Sequence, residues 1–216
     1  MIDGAIFDLD GVILDSMFIW HDLGIRYLNS LGIHAEKNLS EVLFSMSMEQ
    51  GAEYMKKHYA LSESTEEILV GIQNMLRDFY FFEVSEKDGA TELLGLLKQK
   101  GIPAIAATSS PREHVTAALK RLGLLQFFES ILTTSEVGES KHSPKIYRIA
   151  AEKIGTDKSR TLVFEDSLYA LKTAKQDGFI CVGVYDADGE SNQYGLKMAA
   201  DYYIKSLSDY EAIFQN

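Results

Sequence analysis

The chain has 216 residues, of which 46% are hydrophobic, and a formal net charge of −11 at pH 7. The hydrophobic share is enough for a full core and excludes a disordered chain. The acidic excess argues against nucleic acid or an anionic membrane as a partner, although a local cationic pocket would still accept a phosphorylated substrate. The length suits one α/β domain, or such a domain with a smaller insertion.

The lone cysteine, Cys181, excludes an internal disulfide and fits a reducing, cytoplasmic compartment. It lies in an apolar run typical of a buried strand, so we expect an inert core thiol. No apolar run approaches the length of a membrane span, and no signal peptide precedes the first strand. Nothing in the sequence demands more than a monomer.

The first predicted strand, residues 5–7, is short and apolar, as expected for a buried strand. Asp8 and Asp10 follow it, and side chains two residues apart leave a strand on the same face. Two neighbouring carboxylates repel each other, so a hard divalent cation such as Mg²⁺ would stabilise them. Alternatively, Asp10 and Gly11 form a simple hairpin turn between two apolar runs.

Residues 16–83 contain no convincing strand. Apolar residues recur at helical spacing in the first part of this segment, and Gly32 ends the first helix. Ser40 is predicted to cap a short second helix, and a third follows. Ser64 begins a fourth, with Glu67 completing a capping box. These features indicate an inserted, all-helical subdomain.

From residue 89 onward, helices and strands alternate. The predicted strands are residues 102–107, 128–132, 161–164, 180–184 and 202–204. Helices are predicted for residues 90–100, 110–122, 143–154, 168–176 and 208–214. This alternation implies a mostly parallel sheet with right-handed crossovers. The fold class is therefore α/β, with a Rossmann-like parallel-sheet core of residues 1–15 and 84–216 and a helical insertion of residues 16–83.

Several polar groups fall at strand ends or helix starts, where ligands bind in such sheets. Besides the first acid pair, they are Thr108, Ser109 and Ser110, then Lys141, then Glu165 and Asp166. Hydroxyls and free amides at a helix N-terminus form an anion site. Taken singly, the hydroxyls could be only a helix cap, the second acid pair only dipole-stabilised, and the lysine only solvated. These separate explanations do not account for the order of the residues along the chain or for their shared placement at strand ends and helix starts.

In this order the residues resemble the motifs of the haloacid dehalogenase superfamily, in its branch of phosphatases and phosphomutases with a helical cap after the first strand. The matching residues are 8–12, Thr108, Lys141 with Pro144 and Tyr147, and 163–167. The resemblance covers nearly the whole chain. One departure is His142, because the branch commonly has proline directly after the lysine.

The resemblance implies a phosphatase that works through an aspartyl-phosphate. Asp8 would be the nucleophile, and Asp10 would act first as general acid and then as general base. Thr108, the Ser109 amide and Lys141 would bind the phosphoryl oxygens. An acid at position 10 argues against the family's carbon–halogen and carbon–phosphorus hydrolases.

The resemblance also implies a Mg²⁺ cofactor and a small phosphorylated metabolite as substrate. The ion would be held by Asp8, the backbone carbonyl of Asp10 and Asp166, with Glu165 as a further ligand or as a holder of water. The cap would close over the site and read the leaving group.

Two other functions stay open. A hexose-phosphate mutase of the β-phosphoglucomutase type needs a cation in the cap, an arginine, to hold its second phosphate. Met48 stands where that arginine would be, and Trp20 stands where those mutases have a histidine. A non-catalytic phosphate-binding module is the second alternative. If Met17, Trp20, Met46 and Met48 line the pocket, we expect a leaving group with apolar or uncharged surface.

Overall fold

A computed structural model describes residues 2–44 and 46–214, with the side chain of Phe44 excepted. Ser45, which belongs to the stretch compared with the mutases, therefore lies outside the described residues. The chain divides into two compact units. We call Met1–Ser16 with Val84–Asn216 the α/β unit, and Met17–Glu83 the helical unit.

The α/β unit is built on a parallel sheet. Its strands and those of a small two-stranded sheet are β1 (Gly4–Phe7), β2 (Leu14–Asp15), β3 (Ser85–Glu86), β4 (Ala104–Thr108), β5 (Phe128–Thr133), β6 (Thr161–Glu165), β7 (Ile180–Val184) and β8 (Tyr202–Ile204). The main sheet has six strands in the order β5-β4-β1-β6-β7-β8, all paired in parallel. Strands β2 and β3 pair antiparallel as a separate sheet. The predicted α/β class with a parallel sheet is confirmed.

Helices make up the rest of both units. The helical unit contains α1 (Ile19–Ser30), α2 (Leu39–Phe44), α3 (Met48–His58) and α4 (Thr65–Asp78), followed by a π-helical turn, Phe79–Glu83. The α/β unit contains α5 (Ala90–Gln99), α6 (Arg112–Arg121), α7 (Thr134–Val137), α8 (Lys145–Ile154), α9 (Leu168–Asp177), α10 (Gln193–Ala199) and α11 (Glu211–Phe214). Short 3₁₀ turns occur at Leu125–Phe127, Lys158–Arg160 and Leu207–Tyr210.

The central strands are apolar except at Thr108, Thr161 and Glu165, because helices cover both faces of a parallel sheet. Every residue of β1 and β4 is buried. The rings of Phe7 and Phe164 stack with centroids 4.3 Å apart, joining β1 to β6. Each large apolar side chain buried in this way contributes about 1.5–3 kcal/mol. The core therefore fixes the carboxyl ends of β4, β1 and β6 side by side.

Helix boundaries follow the predicted signals in part. Ser64 caps α4 with a full capping box to Glu67, as predicted, and Gly32 lies just beyond α1 with φ of +75°. Ser40 was predicted to begin α2 but is its second residue. Ser110 does not cap α6: Pro111 holds the cap position, with no side-chain hydrogen bond there. Ser110 instead donates its hydroxyl to a carboxylate, described below.

Cys181 is buried, in agreement with its prediction as a core thiol. Its surroundings are apolar, and burial raises the pKa of the thiol to about 12. Among the described residues, no helix has both the length and the apolar character required to cross a bilayer.

Candidate active site

Three strand ends bring the predicted polar residues together. Strand β1 lies between β4 and β6, and all three run in parallel, so their carboxyl ends share one edge. Asp8 follows β1, and its backbone N–H donates to the Phe164 carbonyl at 3.0 Å. Thr108 is the last residue of β4, and Glu165 the last of β6. Residues more than 150 positions apart therefore meet because of the strand order.

Lys141 is the centre of a buried ionic cluster. Its Nζ lies 2.7 Å from Asp8 Oδ1 and 2.7 Å from Glu165 Oε1. A turn before α8, closed by the hydrogen bond from Ser143 N to Ser140 O, presents the lysine to the sheet edge. Burial alone lowers the pKa of Lys141, but the two carboxylates outweigh it and raise the pKa above its usual value. The lysine is therefore a permanent cation.

Tyr147 completes this cluster from α8. Its hydroxyl donates to Glu165 Oε1 at 2.7 Å, the same oxygen that Lys141 contacts. Burial raises the pKa of the phenol, and the neighbouring Glu165 raises it further. Tyr147 is thus a fixed hydrogen-bond donor that positions the Glu165 carboxylate.

The site has the donor set for a hard divalent cation. Asp8, Glu165 and Asp166 each offer a carboxylate oxygen, and these atoms lie within 4.8 Å of one another. Glu165 Oε2 is buried with no hydrogen-bond partner in the described structure, as expected of an atom whose partner is an ion. Burial and mutual repulsion raise the pKa of Asp8 to about 7 and that of Asp166 well above its usual value. An all-oxygen set of crowded carboxylates fits Mg²⁺ or a similar ion.

Asp10 stands apart from the three-acid group. Its two carboxylate oxygens each accept a hydroxyl, from Ser16 at 2.7 Å and from Ser110 at 2.6 Å. The side chain is therefore oriented by donors on two separate segments of the α/β unit. The chain turns directly after Asp10, at residues 11–13, with Gly11 at φ of +74°. The predicted hairpin alternative is wrong, because β1 pairs in parallel with β4 and β6 rather than with the apolar run after the turn.

Thr108 ends β4, and Ser109 begins the short loop before α6. Thr108 is fully buried, and its Oγ1 accepts a hydrogen bond from the Ser110 backbone at 3.0 Å. Ser109 is exposed. The end of β4 and the loop after it therefore present one buried and one accessible hydroxyl residue next to β1.

Sequence reasoning missed the contacts that support Asp10, although it placed Ser110 near the site. Ser16 and Ser110 orient Asp10, yet a serine six or a hundred residues away carries no such signal in the sequence. His142, the departure from the family pattern, stacks on Tyr169 with ring centroids 4.4 Å apart. The ring stacking gives the loop after Lys141 a rigid partner in place of a proline.

Fold and site together define a hydrolase of the haloacid dehalogenase class. The family model for haloacid dehalogenase-like hydrolases matches residues 2–178, and the chain belongs to that family. The resemblance found in the sequence is thereby confirmed.

Individual relatives are similar over most of the chain. Validoxylamine A 7'-phosphate phosphatase of Streptomyces hygroscopicus subsp. limoneus is 29% identical over 210 residues, covering 95% of this chain and 94% of that protein. A phosphorylated carbohydrates phosphatase of Thermotoga maritima is 25% identical, covering 82% of each. The crystal structure of a putative β-phosphoglucomutase from Thermotoga maritima matches with a TM-score of 0.87 over 99% of both chains at 24% identity, which shows the shared fold.

Proposed function

We propose that this chain is a Mg²⁺-dependent phosphatase that hydrolyses a small phosphomonoester through an aspartyl-phosphate. The single observation that carries the proposal is Asp8, held by Lys141 beside two further acids at the end of the central strand. Membership in a hydrolase family and the phosphatase names of its relatives support the same reaction.

In the first step, an Asp8 oxygen attacks phosphorus and forms a new P–O bond while the bond to the leaving oxygen breaks. Asp10 gives its proton to that leaving oxygen. In the second step, Asp10 takes a proton from water, whose oxygen attacks phosphorus and frees Asp8 and inorganic phosphate. Ser16 and Ser110 hold the Asp10 carboxylate in place for both proton transfers.

Negative charge on the phosphoryl oxygens needs cationic and hydrogen-bonding partners. Lys141 Nζ lies 2.7 Å from Asp8 Oδ1, so its ammonium is also placed to bind an oxygen of a phosphoryl group that Asp8 attacks. Thr108 and the Ser109 amide are the neutral donors from the loop after β4. Tyr147 and Lys141 donate to the same Glu165 oxygen. The tyrosine hydrogen bond therefore weakens the hold of Glu165 on the lysine and leaves the ammonium available to the phosphoryl group.

Asp8, Asp166 and the Asp10 carbonyl would hold Mg²⁺, with Glu165 as a ligand or as a holder of its water. The bound ion would supply positive charge that lets a carboxylate approach a phosphoryl dianion. The Asp8 carboxyl, whose pKa is raised to about 7 in the metal-free chain, would be ionised by that ion at neutral pH.

The test is phosphate release from a panel of sugar and aryl phosphates with Mg²⁺ and with chelator. We expect turnover only with the ion, and a loss of at least about 10³-fold in Asp8→Asn, whose amide is not a nucleophile. An Asp8→Asn variant that keeps its rate would show that another group attacks phosphorus. No turnover across the panel by a folded, metal-loaded chain would favour the non-catalytic module.

The helical unit is proposed as the specificity element. It contains a cavity of about 280 Å³ whose lining includes Trp20, Met46, Met48 and Met55, and no charged side chain lines it. Met17 is not among the lining residues. A thioether at position 48 cannot bind a second phosphate dianion, so we rank mutase activity below hydrolysis.

We accordingly expect a leaving group with apolar or uncharged surface rather than a bisphosphate. The check is Met48→Arg, compared with wild type on monophosphates and hexose bisphosphates. The exchange should lower the KM for the bisphosphates and leave that for the monophosphates within about threefold. Bisphosphate-dependent isomerisation of a hexose phosphate by the wild-type chain would reverse the ranking.

A further inference from the structure

The Lys87 ammonium donates all three of its hydrogen bonds to other groups of the protein. Its three donors reach three acceptors: Gly11 O at 3.0 Å, Tyr185 O at 2.9 Å and Asp186 Oδ2 at 2.6 Å. The side chain is 14% exposed and that of Asp186 5%. Lysines are rarely so buried, and a lysine with all donors satisfied by fixed acceptors holds one geometry.

The first segment that Lys87 binds is the turn after β1. Gly11 directly follows Asp10, whose backbone carbonyl is a proposed ligand of the cation. The backbone of Lys87 is fixed to the same turn, because its N–H donates to Ile13 O at 2.9 Å. The side chain and the backbone of Lys87 therefore attach to one short segment from two sides.

The second segment that Lys87 binds is the loop of residues 185–192, which follows β7. Asp186 is fixed at both ends of its carboxylate, since Oδ1 accepts the Asp188 N–H at 2.9 Å while Oδ2 accepts Lys87. A Cβ on Gly189 would come within 2.9 Å of Asp166 Oδ2, so the backbone of this loop lies directly against that carboxylate. The loop therefore forms a fixed surface beside a proposed metal ligand.

The same loop also holds the segment that follows Asp166. Glu190 Oε2 accepts the backbone N–H of Leu168 at 3.0 Å, where α9 begins. Gln193 secures the loop internally by donating to the carbonyls of Asp186 and Glu190 at 3.1 and 2.8 Å. Displacement of the loop would therefore move both Asp166 and the start of its helix.

We propose that Lys87 is a positioning residue for the cation site: by joining Gly11 to Asp186, it fixes the distance between the Asp10 carbonyl and the Asp166 carboxylate. It contacts neither the three-acid group nor the phosphoryl site in the contacts described above. The proposal rests on the proposed function only for the statement that these acids hold a divalent ion.

Geometry and simple electrostatics predict opposite signs for the removal of Lys87. Loss of a positive charge near a cation site should tighten cation binding if charge alone matters. Loss of a positioning residue should weaken binding, as outer-shell substitutions at metal sites do, by about 10–100-fold. The sign of the change therefore separates the two accounts.

The experiment measures Mn²⁺ binding to the full chain by electron paramagnetic resonance, which needs no turnover. Lys87→Met should bind Mn²⁺ about tenfold more weakly than wild type. Lys158→Met is the matched control: it removes a lysine that is 49% exposed at the amino end of β6, and it should leave the affinity unchanged. Unchanged or tighter binding in Lys87→Met would overturn the proposal.

A second variant keeps the test valid if Lys87→Met does not fold. Asp186→Asn retains the volume of the side chain and one acceptor, and should weaken binding by a smaller factor. The double variant Lys87→Met/Asp186→Asn has the wild-type net charge in this region, so affinity restored to the wild-type value would refute the positioning role. Affinity as weak as in Lys87→Met alone would support it.

Turnover distinguishes this proposal from the proposed function. If the proposed function fails, the wild-type chain releases no phosphate, whatever Lys87 does to Mn²⁺ binding. If only the Lys87 proposal fails, wild type turns over and Lys87→Met has wild-type Mn²⁺ affinity. At saturating Mg²⁺, Lys87→Met should regain most of kcat, because the ion then rebinds the misplaced ligands.

Discussion

The two units of this chain bury polar groups in opposite ways. The charged residues buried in the α/β unit are Asp8, Lys141, Glu165, Asp166 and Asp186. In the described part of the helical unit, no charged residue is buried, and the described lining of the cavity at Trp20 and Met55 is uncharged. Burying an ion costs several kcal/mol unless it is paired. Among the described residues, buried charge is thus confined to the α/β unit, which carries the proposed active site, whereas the proposed specificity element encloses an apolar cavity.

Removal of the shared cation tests the buried-charge side of this comparison and should have the largest effect. Lys141→Met leaves Asp8 and Glu165 without their cationic partner, so we expect a loss of about 3–5 kcal/mol in the free energy of unfolding. Urea denaturation of the metal-free protein measures it. Lys145→Met, which breaks the exposed ion pair with Glu139 nearby, should cost under about 1 kcal/mol. Equal losses in both variants would mean that burial of the pair is unimportant.

An enlarged cavity tests the apolar side. Met55 is 1% exposed and lines the cavity of the helical unit. Met55→Ala should reduce the free energy of unfolding by about 2–5 kcal/mol through lost burial and the added void. Mn²⁺ affinity should stay at the wild-type value, since no buried charge is touched. A parallel fall in metal affinity would show that the units do not divide stability and chemistry in this way.

Deletion of one hydroxyl at the buried cluster should have an intermediate effect. Tyr147→Phe removes the hydrogen bond to Glu165 Oε1, but Lys141 still contacts that oxygen. We expect a loss of about 1–2 kcal/mol in the free energy of unfolding, together with a drop in kcat. Tyr59→Phe removes a partly buried hydroxyl that accepts the backbone N–H of Glu36 in the helical unit, and serves as the control for a hydroxyl lost elsewhere. A change in kcat in both variants would argue against a special role for Tyr147.

An exposed pair in the α/β unit should show the smallest effect and a dependence on pH. Hydrogen bonds from Arg112 lower the pKa of Glu136 to about 2. A depressed folded pKa adds stability above the unfolded pKa near 4.5, and this stability is lost as the pH falls toward 2. Because the side chains of this pair are 46% and 45% exposed, Glu136→Gln should cost under about 1 kcal/mol at pH 7. The difference from wild type should shrink at pH 3, and a difference that grows there would contradict this assignment.

Predictability from sequence followed the range of the interactions. Short apolar runs identified β1, β4, β6 and β7, because burial on both faces leaves a continuous apolar signature. The meeting of Asp8, Thr108 and Glu165 followed from one rule about the ends of parallel strands. The separate two-stranded sheet of β2 and β3 was missed, since strands of two residues have no measurable period.

Long-range polar contacts were outside the reach of the sequence. Ser110 fits a helix-cap pattern, but its bond to Asp10, a hundred residues away, decides where its hydroxyl points. Lys87 lies in a polar stretch and looks like any solvated lysine, while its acceptors are 76, 98 and 99 residues distant. Such contacts exist only after the sheet has set the strand order.

The central place of β1 has a consequence for synthesis on the ribosome. This strand is translated before both of its neighbours, which begin at residues 104 and 161. Until β4 emerges, the nascent chain carries an apolar strand with both edges open, and one edge stays open until β6 emerges, a form prone to aggregation. Ribosome-bound fragments that end before β6 should recruit chaperones strongly, and that demand should fall once residue 165 has cleared the exit tunnel.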